Sequence, residues 1–342
     1  MTVLTLGEIL LRLSPPGHQR LVQTDRFDVQ YGGSEANVAV ALSTYGVDSI
    51  YVTKLPPHPI GQAAVNHLRG YGVRPSSIVR GGERVGSYFL ESGASHRGSS
   101  VIYDRANSAF STLTPDELDL DQLAEKTEWF HWSGITPALG RPAHDTVRAL
   151  CKAVEERDGT ISCDLNYRAK LWGEEDARRV MKPLMQHVDI CIAGRGDPFS
   201  VLGMNDPQDG PPTVEVEEEA YAKVLRDMKE EFGFRGVAMT LRESWSASMN
   251  GWSALYLDDQ ECSSPYRSER YEIDLVDRVG GGDAFSAGLI YGLRQKSDSR
   301  KALEYAVAAS SLKQTIPGDA NLATREEIEN LVAGREGKRL KR

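Results

Sequence analysis

Three observations predict an α/β fold with a mostly parallel sheet, helices on both faces and a small β-sheet lid. From Glu128 onward, strand-like and helix-like segments alternate regularly, as in a chain built of β–α crossovers. The strand-like segments are short continuous apolar runs, the pattern of strands buried on both faces. Two stretches break the rhythm: residues 11–31, with "SPPGHQR" and "DRFDVQYGG", and residues 86–104, "GSYFLESGASHRGSSVIYD". Both read as β excursions that leave the main layer and form a small sheet over one edge, a lid.

The elements follow in order. "VLTLGEILLRL" is one strand-like apolar run, and "EANVAVALSTYGV" is helical with Gly46 at its C-terminal end. "SIYVTKL" is a strand and "GQAAVNHLRGYGV" a helix. "EWFHWSGI", "TISCDL", "VDICIAG" and "GVAMTL" are strands, separated by the helices "RPAHDTVRALCKAVEER", "EEDARRVMKPLMQH" and "EVEEEAYAKVLRDMKEEF". "NDPQDGPPT", residues 205–213, is a surface loop by its Pro, Gly and Asp content. "YEIDLVD" is strand-like and leads into "RVGGGDAFSAGLIYGLRQK", whose small residues read as a helix. No internal repeat is found, so residues 1–342 parse as a single domain with the lid formed by the two excursions. Residues 334–342, "GREGKRLKR", form a solvated basic tail.

Composition narrows the function classes. The 342-residue chain is 40% hydrophobic and 26% charged, with a net charge of -9. That acidic balance argues against nucleic-acid binding, which needs a basic footprint. No apolar run reaches the roughly 18 residues of a membrane span, and "MTVLTLGEIL" lacks the basic start of a signal peptide. Cys151, Cys163, Cys191 and Cys262 form no CxxC pair and read as reduced thiols, so a cytoplasmic protein is expected.

The chemistry-bearing stretch is "DRVGGGDAF", Asp277 to Phe285. Gly280, Gly281 and Gly282 stand where a loop enters a helix, so unpaired N–H groups and the helix dipole converge there. This is an anion site that glycine opens to close approach by phosphate. Asp283 has two readings. It caps the helix, or it accepts the proton of a hydroxyl that attacks the phosphorus. The stretch has neither the GK[ST] of a Walker loop nor the third glycine of a dinucleotide fingerprint.

"DRVGGGDAF" resembles the D-T-x-G-A-G-D signature of the PfkB (ribokinase-like) carbohydrate kinases. "YGGSEANVAVALSTYGV", residues 31–47, resembles that family's first motif and stands in the family's order. "IYDRANSA", "FHWSGIT", "DLNYRAKLW", "VAMTLR" and "LKQTIPGDANL" look like the 2-keto-3-deoxygluconate kinase branch. The resemblance implies a three-layer ribokinase-like α/β/α domain and an ATP- and Mg2+-dependent kinase of 2-keto-3-deoxygluconate, giving the 6-phosphate. It implies Asp283 as general base and the glycines Gly280, Gly281 and Gly282 as an anion hole for the γ-phosphoryl group. For the sugar it implies Gly33, Asn37, Tyr88, Tyr103, Arg105, Arg168 and Asp319, with Arg105 and Arg168 suited to a carboxylate. For the nucleotide it implies Thr240 and Arg242 together with Gly280 and Gly282. Asp277 is expected to shape the loop, with a monovalent cation beside it in many members. Subunits are expected to pair through the lid into a homo-oligomer.

Two segments depart from the family's pattern. Where many members have N-x-x-E, this chain reads "GRGDP", with Gly194 for the asparagine and Asp197 for the glutamate. Asp197 is left to hold Mg2+ through water. "KLPPHPIG", residues 54–61, replaces a stretch that commonly contacts a sugar hydroxyl. The competing functions are a kinase of another sugar, such as fructose, and a sugar- or nucleotide-binding regulator that has lost catalysis.

Overall fold

The apolar run at the N-terminus is divided between two sheets. Strand β1 (Thr2–Leu6) and strand β2 (Leu10–Ser14) are separated by Gly7, where a Cβ would lie 2.1 Å from Glu35 Oε2. The missing side chain lets the chain bend over Glu35 and leave the main layer. Apolar patterning alone shows one continuous strand there, so the expectation is corrected.

The computed structural model describes residues 2–206, 218–259, 264–296 and 298–335. Part of the expected 205–213 loop, the thiol Cys262 and all but the start of the basic tail lie outside them. The other strands are β3 (Asp28–Gly32), β4 (Asp48–Leu55), β5 (Ile78–Arg80), β6 (Ser87–Glu91), β7 (Ser100–Asp104), β8 (Trp129–Ser133) and β9 (Thr160–Asp164). They continue with β10 (Ile190–Gly194), β11 (Gly236–Ser244), β12 (Met249–Asp258), β13 (Tyr266–Arg267) and β14 (Tyr271–Asp274).

Among the described residues the main sheet has ten strands, ordered β13-β12-β11-β10-β9-β8-β1-β4-β5, with β14 also on β12. From β11 to β5 every pairing is parallel. An antiparallel edge follows, in which β12 pairs with β11, β13 and β14. Strand β12 was not anticipated from the sequence. Helices cover both faces. The Arg141–Glu155 helix buries Ala143, Thr146, Val147, Leu150, Cys151 and Val154, one stripe at helical spacing.

The two excursions form a separate four-stranded sheet, ordered β3-β2-β6-β7. Its outer pairings are antiparallel and β2–β6 is parallel. The strands lie within a residue of the expected limits, and the stretch between Ser14 and Asp28 contains no strand. Leu10, Tyr88 and Leu90 pack together with Val101 and with Val279 of the glycine turn.

The Gly281–Gln295 helix is buried over most of its length. It lies directly on the Ser299–Lys313 helix, because Gly288 and Gly292 carry no side chains. A Cβ at either would come within 2.7 Å of a backbone Cα, of Ala306 or of Ala302. This close contact fixes the helix whose first turn faces the strand ends. Among the described residues no helix is long and apolar enough to cross a membrane.

Candidate active site

The parallel strands end on one side of the sheet, where open α/β sheets place their ligands. A cleft of about 710 Å3 opens there between the strand ends and the small sheet. Each site residue singled out from the sequence borders it: Gly33, Asn37, Tyr88, Tyr103, Arg105, Arg168, Asp197, Thr240, Arg242, Gly280, Gly281, Gly282, Asp283 and Asp319.

The three glycines differ in what they do. Gly280 has φ +82°, and a Cβ there would lie 1.9 Å from the carbonyl oxygen of Asp319. At Gly281 a Cβ would come within 3.3 Å of Gln314, whereas at Gly282 nothing lies within 4 Å. Gly280 is therefore required by the fold, and Gly282 faces open space at the helix N-terminus. The helix starts at Gly281 with Gly280 as its cap, so Asp283 stands inside the first turn and is not the capping residue.

Asp283 is held by the first motif. Its Oδ1 accepts from the Ser34 hydroxyl at 2.8 Å, and its Oδ2 accepts from Asn37 Nδ2 at 2.7 Å. Asn166 Nδ2 donates in turn to Ser34 Oγ at 3.1 Å. Desolvation raises the Asp283 pKa above the ordinary aspartate value, and the Asn37, Ser34 and Arg168 contacts oppose it. The carboxylate is oriented and has a strengthened affinity for a proton, as a general base needs.

At the end under the small sheet, two groups are already engaged. Arg105 Nε donates to Glu8 Oε2 at 2.8 Å, and its guanidinium lies 5.6 Å from the Tyr103 ring centre. Glu8 Oε1 is buried without a hydrogen-bond partner. Asp319 accepts from Arg12 Nη1 at 2.5 Å and from the Tyr88 hydroxyl. Arg12 also reaches Asp277 Oδ2 at 2.6 Å. The Asp319 carboxylate thus ties strands β2 and β6 to the glycine turn. Gly33 is explained by packing, since a Cβ there would lie 2.0 Å from the Glu8 carbonyl oxygen. Arg168 differs from Arg105. It is solvent-exposed and, among the described residues, forms no salt bridge.

At the other end Thr240, midway along β11, pairs with Gly194, the last residue of β10, and both border the cleft. Arg242, Arg195 and Arg278 line this end. Arg242 is open to the cleft, yet desolvation by its walls and then Arg278, Arg168 and Arg195 lower its pKa. Such a group of cations is stabilised by an anion between them. Asp197 Oδ2 accepts from the Gly194 N–H at 2.7 Å, and burial raises its pKa. Asp164 at the end of β9 is raised too, by burial and then by Asp197 and Asp283. Among the described residues no three His, Cys, Asp or Glu side chains form a metal cage.

The family model described as pfkB family carbohydrate kinase matches residues 2–325. The chain belongs to the PfkB carbohydrate kinases. The kinase is 33% identical to 2-dehydro-3-deoxygalactonokinase of Haloferax volcanii over 97% of this chain and 96% of that protein. It is 30% identical to 2-dehydro-3-deoxygluconokinase of Thermoproteus tenax, over 97% and 94%. The crystal structure of 2-dehydro-3-deoxygluconokinase from Thermotoga maritima superposes with TM-score 0.92 at 49% identity, over 98% of each chain. The ribokinase-like fold and the sugar-kinase class expected from the motifs therefore hold.

Sequence reasoning missed several residues of this kinase's cleft. Ser34 lies inside the first motif, and its hydroxyl at the helix start was an available signal. Asn166 is adjacent to "YRAK" and takes a left-handed φ of 41°, which the sequence does not announce. Glu8 was read only as part of a strand-like run, and Asp164 as the end of a strand and the start of "DLNYRAKLW"; Arg12, which bonds Asp319 without lining the cleft, was read only as part of the same run as Glu8. Glu35 was also missed. It is buried, and its Oε1 accepts from the Ser133 N–H, the Ser133 hydroxyl and the Thr136 hydroxyl.

Proposed function

We propose that this kinase transfers the γ-phosphoryl group of ATP to the terminal hydroxyl of 2-keto-3-deoxygluconate, giving 2-keto-3-deoxy-6-phosphogluconate and ADP. The observation that carries the reading is the pairing of the Asp283 carboxylate, held by Ser34 and Asn37, with the open Gly282 turn in one cleft. Asp283 accepts the hydroxyl proton as the oxygen attacks phosphorus, and ADP leaves in line. The N–H groups of the glycine turn stabilise the charge on the transferring group. Arg242, Arg195 and Arg278 suit the nucleotide phosphates, with Thr240 beside them. Arg168 binds the sugar carboxylate, and Arg105 holds Glu8 and Tyr103 at the sugar's edge. Tyr88 and Asn37 face the sugar, while Asp319 acts through Tyr88 and the turn. Mg2+ carried by the nucleotide would neutralise phosphate charge, and Asp164 and Asp197 are the carboxylates that would hold it through water. The small sheet closes over the sugar, and its exposed Val29 and Ile102 side chains, on the face away from Tyr88 and Tyr103, suit pairing with a second subunit.

A second reading is the same reaction on the C4 epimer, 2-keto-3-deoxygalactonate, favoured by the name of the Haloferax relative. ADP release with Mg2+ and ATP, compared across both epimers, fructose and ribose, tests both. Turnover of fructose equal to that of the acids would overturn the sugar-acid assignment. Absence of turnover on all four, with ATP still bound, would favour a non-catalytic regulator.

A further inference from the structure

Many members of the resembling family carry a monovalent cation beside the residue corresponding to Asp277, and the residues here do not fit one. Lys313, the last residue of the Ser299–Lys313 helix, is fully buried behind the glycine turn. Its Nζ donates to the carbonyl oxygens of Asp277 at 2.9 Å and Ile316 at 3.4 Å. Its Cε lies 3.3 Å from where a Cβ of Gly280 would stand. The Asp277 and Ile316 carbonyls, which could face a desolvated ion, already face an ammonium.

The rest of the cluster is satisfied as well. Asp277 Oδ2 accepts from Arg12 and from the Gly318 N–H at 3.1 Å, and its Oδ1 accepts from the Val279 N–H at 3.1 Å. Two cations, Arg12 and Lys313, thus balance two carboxylates, Asp277 and Asp319. An additional buried ion would be uncompensated. Burial lowers the Lys313 pKa, while Asp277 and Asp319 oppose that shift and Arg12 adds to it.

We propose that the Lys313 ammonium is a built-in monovalent cation: it shapes the Asp277–Gly282 turn in place of an exchangeable ion and makes the kinase independent of K+ and Na+. Lys313 is a positioning residue, since it acts on phosphate only through the turn. The kinetic part rests on the phosphoryl-transfer reading above, so stability is measured alongside rate. A lysine that merely caps the last carbonyls of its own helix would give no response to ions when removed.

The test uses the full chain in K+, Na+ or tetramethylammonium chloride at equal ionic strength. Wild type should show the same Tm and the same kcat in all three. Lys313→Ala should lose kcat by about a hundredfold in tetramethylammonium, as a displaced turn would. K+ or NH4+ should restore part of that loss and raise the variant's Tm. A wild-type Tm or rate that requires K+ overturns the proposal, as does a folded Lys313→Ala that no small cation affects. If Lys313→Ala does not fold, Lys313→Met takes its place, and the wild-type ion series decides by itself. Loss of turnover in every condition with the Tm pattern intact would count against the phosphoryl-transfer reading and leave the built-in cation standing.

Discussion

Ser34 donates its hydroxyl to Asp283 across 249 residues of sequence, at 2.8 Å. The helix that opens the first motif thereby orients the carboxylate of the last one. Asp283→Asn should keep ATP and sugar binding by calorimetry and reduce kcat by about 10²–10⁴. Ser34→Ala should cost less, because Asn37 still holds the other oxygen. The pH dependence has a definite sign. In the proposed mechanism Asp283 works deprotonated, and its pKa is raised. The wild-type rate should therefore fall as pH drops through a value above the ordinary aspartate range.

Gly280 and Gly282 should separate fold from function. Gly280→Ala places a methyl group against the Asp319 carbonyl in a left-handed conformation, so a large drop in Tm is expected. Gly282→Ala meets nothing. Its stability should stay within about 0.5 kcal/mol of wild type in urea unfolding, while kcat/KM for ATP falls. Equal losses of stability in the two variants would sink this division of labour.

Arg168→Ala should raise KM for the sugar acid more than it changes kcat. Loss of a charge-assisted contact of about 1.5–3 kcal/mol corresponds to roughly 10- to 150-fold. The readout is the ratio of kcat/KM for the acid to that for its neutral alcohol. If the ratio survives the substitution, the carboxylate is bound elsewhere.

Glu35 should make stability depend on pH. Burial raises its pKa from 4.5 to about 7 in the folded chain, against opposing donors on Thr136 and Ser133. The folded protein then holds a proton that the unfolded chain has released. This contribution is complete below about pH 4.5 and is lost as pH rises through about 7, at about 1.4 kcal/mol per pH unit within that window. Urea midpoints at pH 5 and 8 should differ in wild type and draw together in Glu35→Gln.

The alternation of apolar runs and helical segments made the parallel layer legible, and the two stretches that interrupt it made the small sheet legible. Both are local patterns. The division at Gly7 was not legible, because the space it leaves is filled by Glu35 from the next helix. In the site, Asp283 and the glycines could be read because they stand together in one short segment, although the groups that hold them, Ser34, Asn37 and the Asp319 carbonyl, come from far along the chain. Arg12 could not. An arginine in an apolar strand gives no sign that two carboxylates await it from the far end of the chain. The roles of Arg105 and Arg168 look alike in sequence and diverge only when Glu8 is seen beside one of them.

Arg12 and Asp319 stand 307 residues apart and meet in a buried salt bridge. Arg12 leaves the ribosome well before Asp319 does. Until the C-terminal segment arrives, the guanidinium on β2 has no Asp319 to meet, and the glycine turn has no carbonyl against which to seat Gly280. Contacts of such sequence separation are closed late and slowly. The nascent chain can build its central strands early, yet it cannot complete the glycine turn before Asp319 has emerged. Assembly of the turn is thus coupled to synthesis of the segment that carries Asp319.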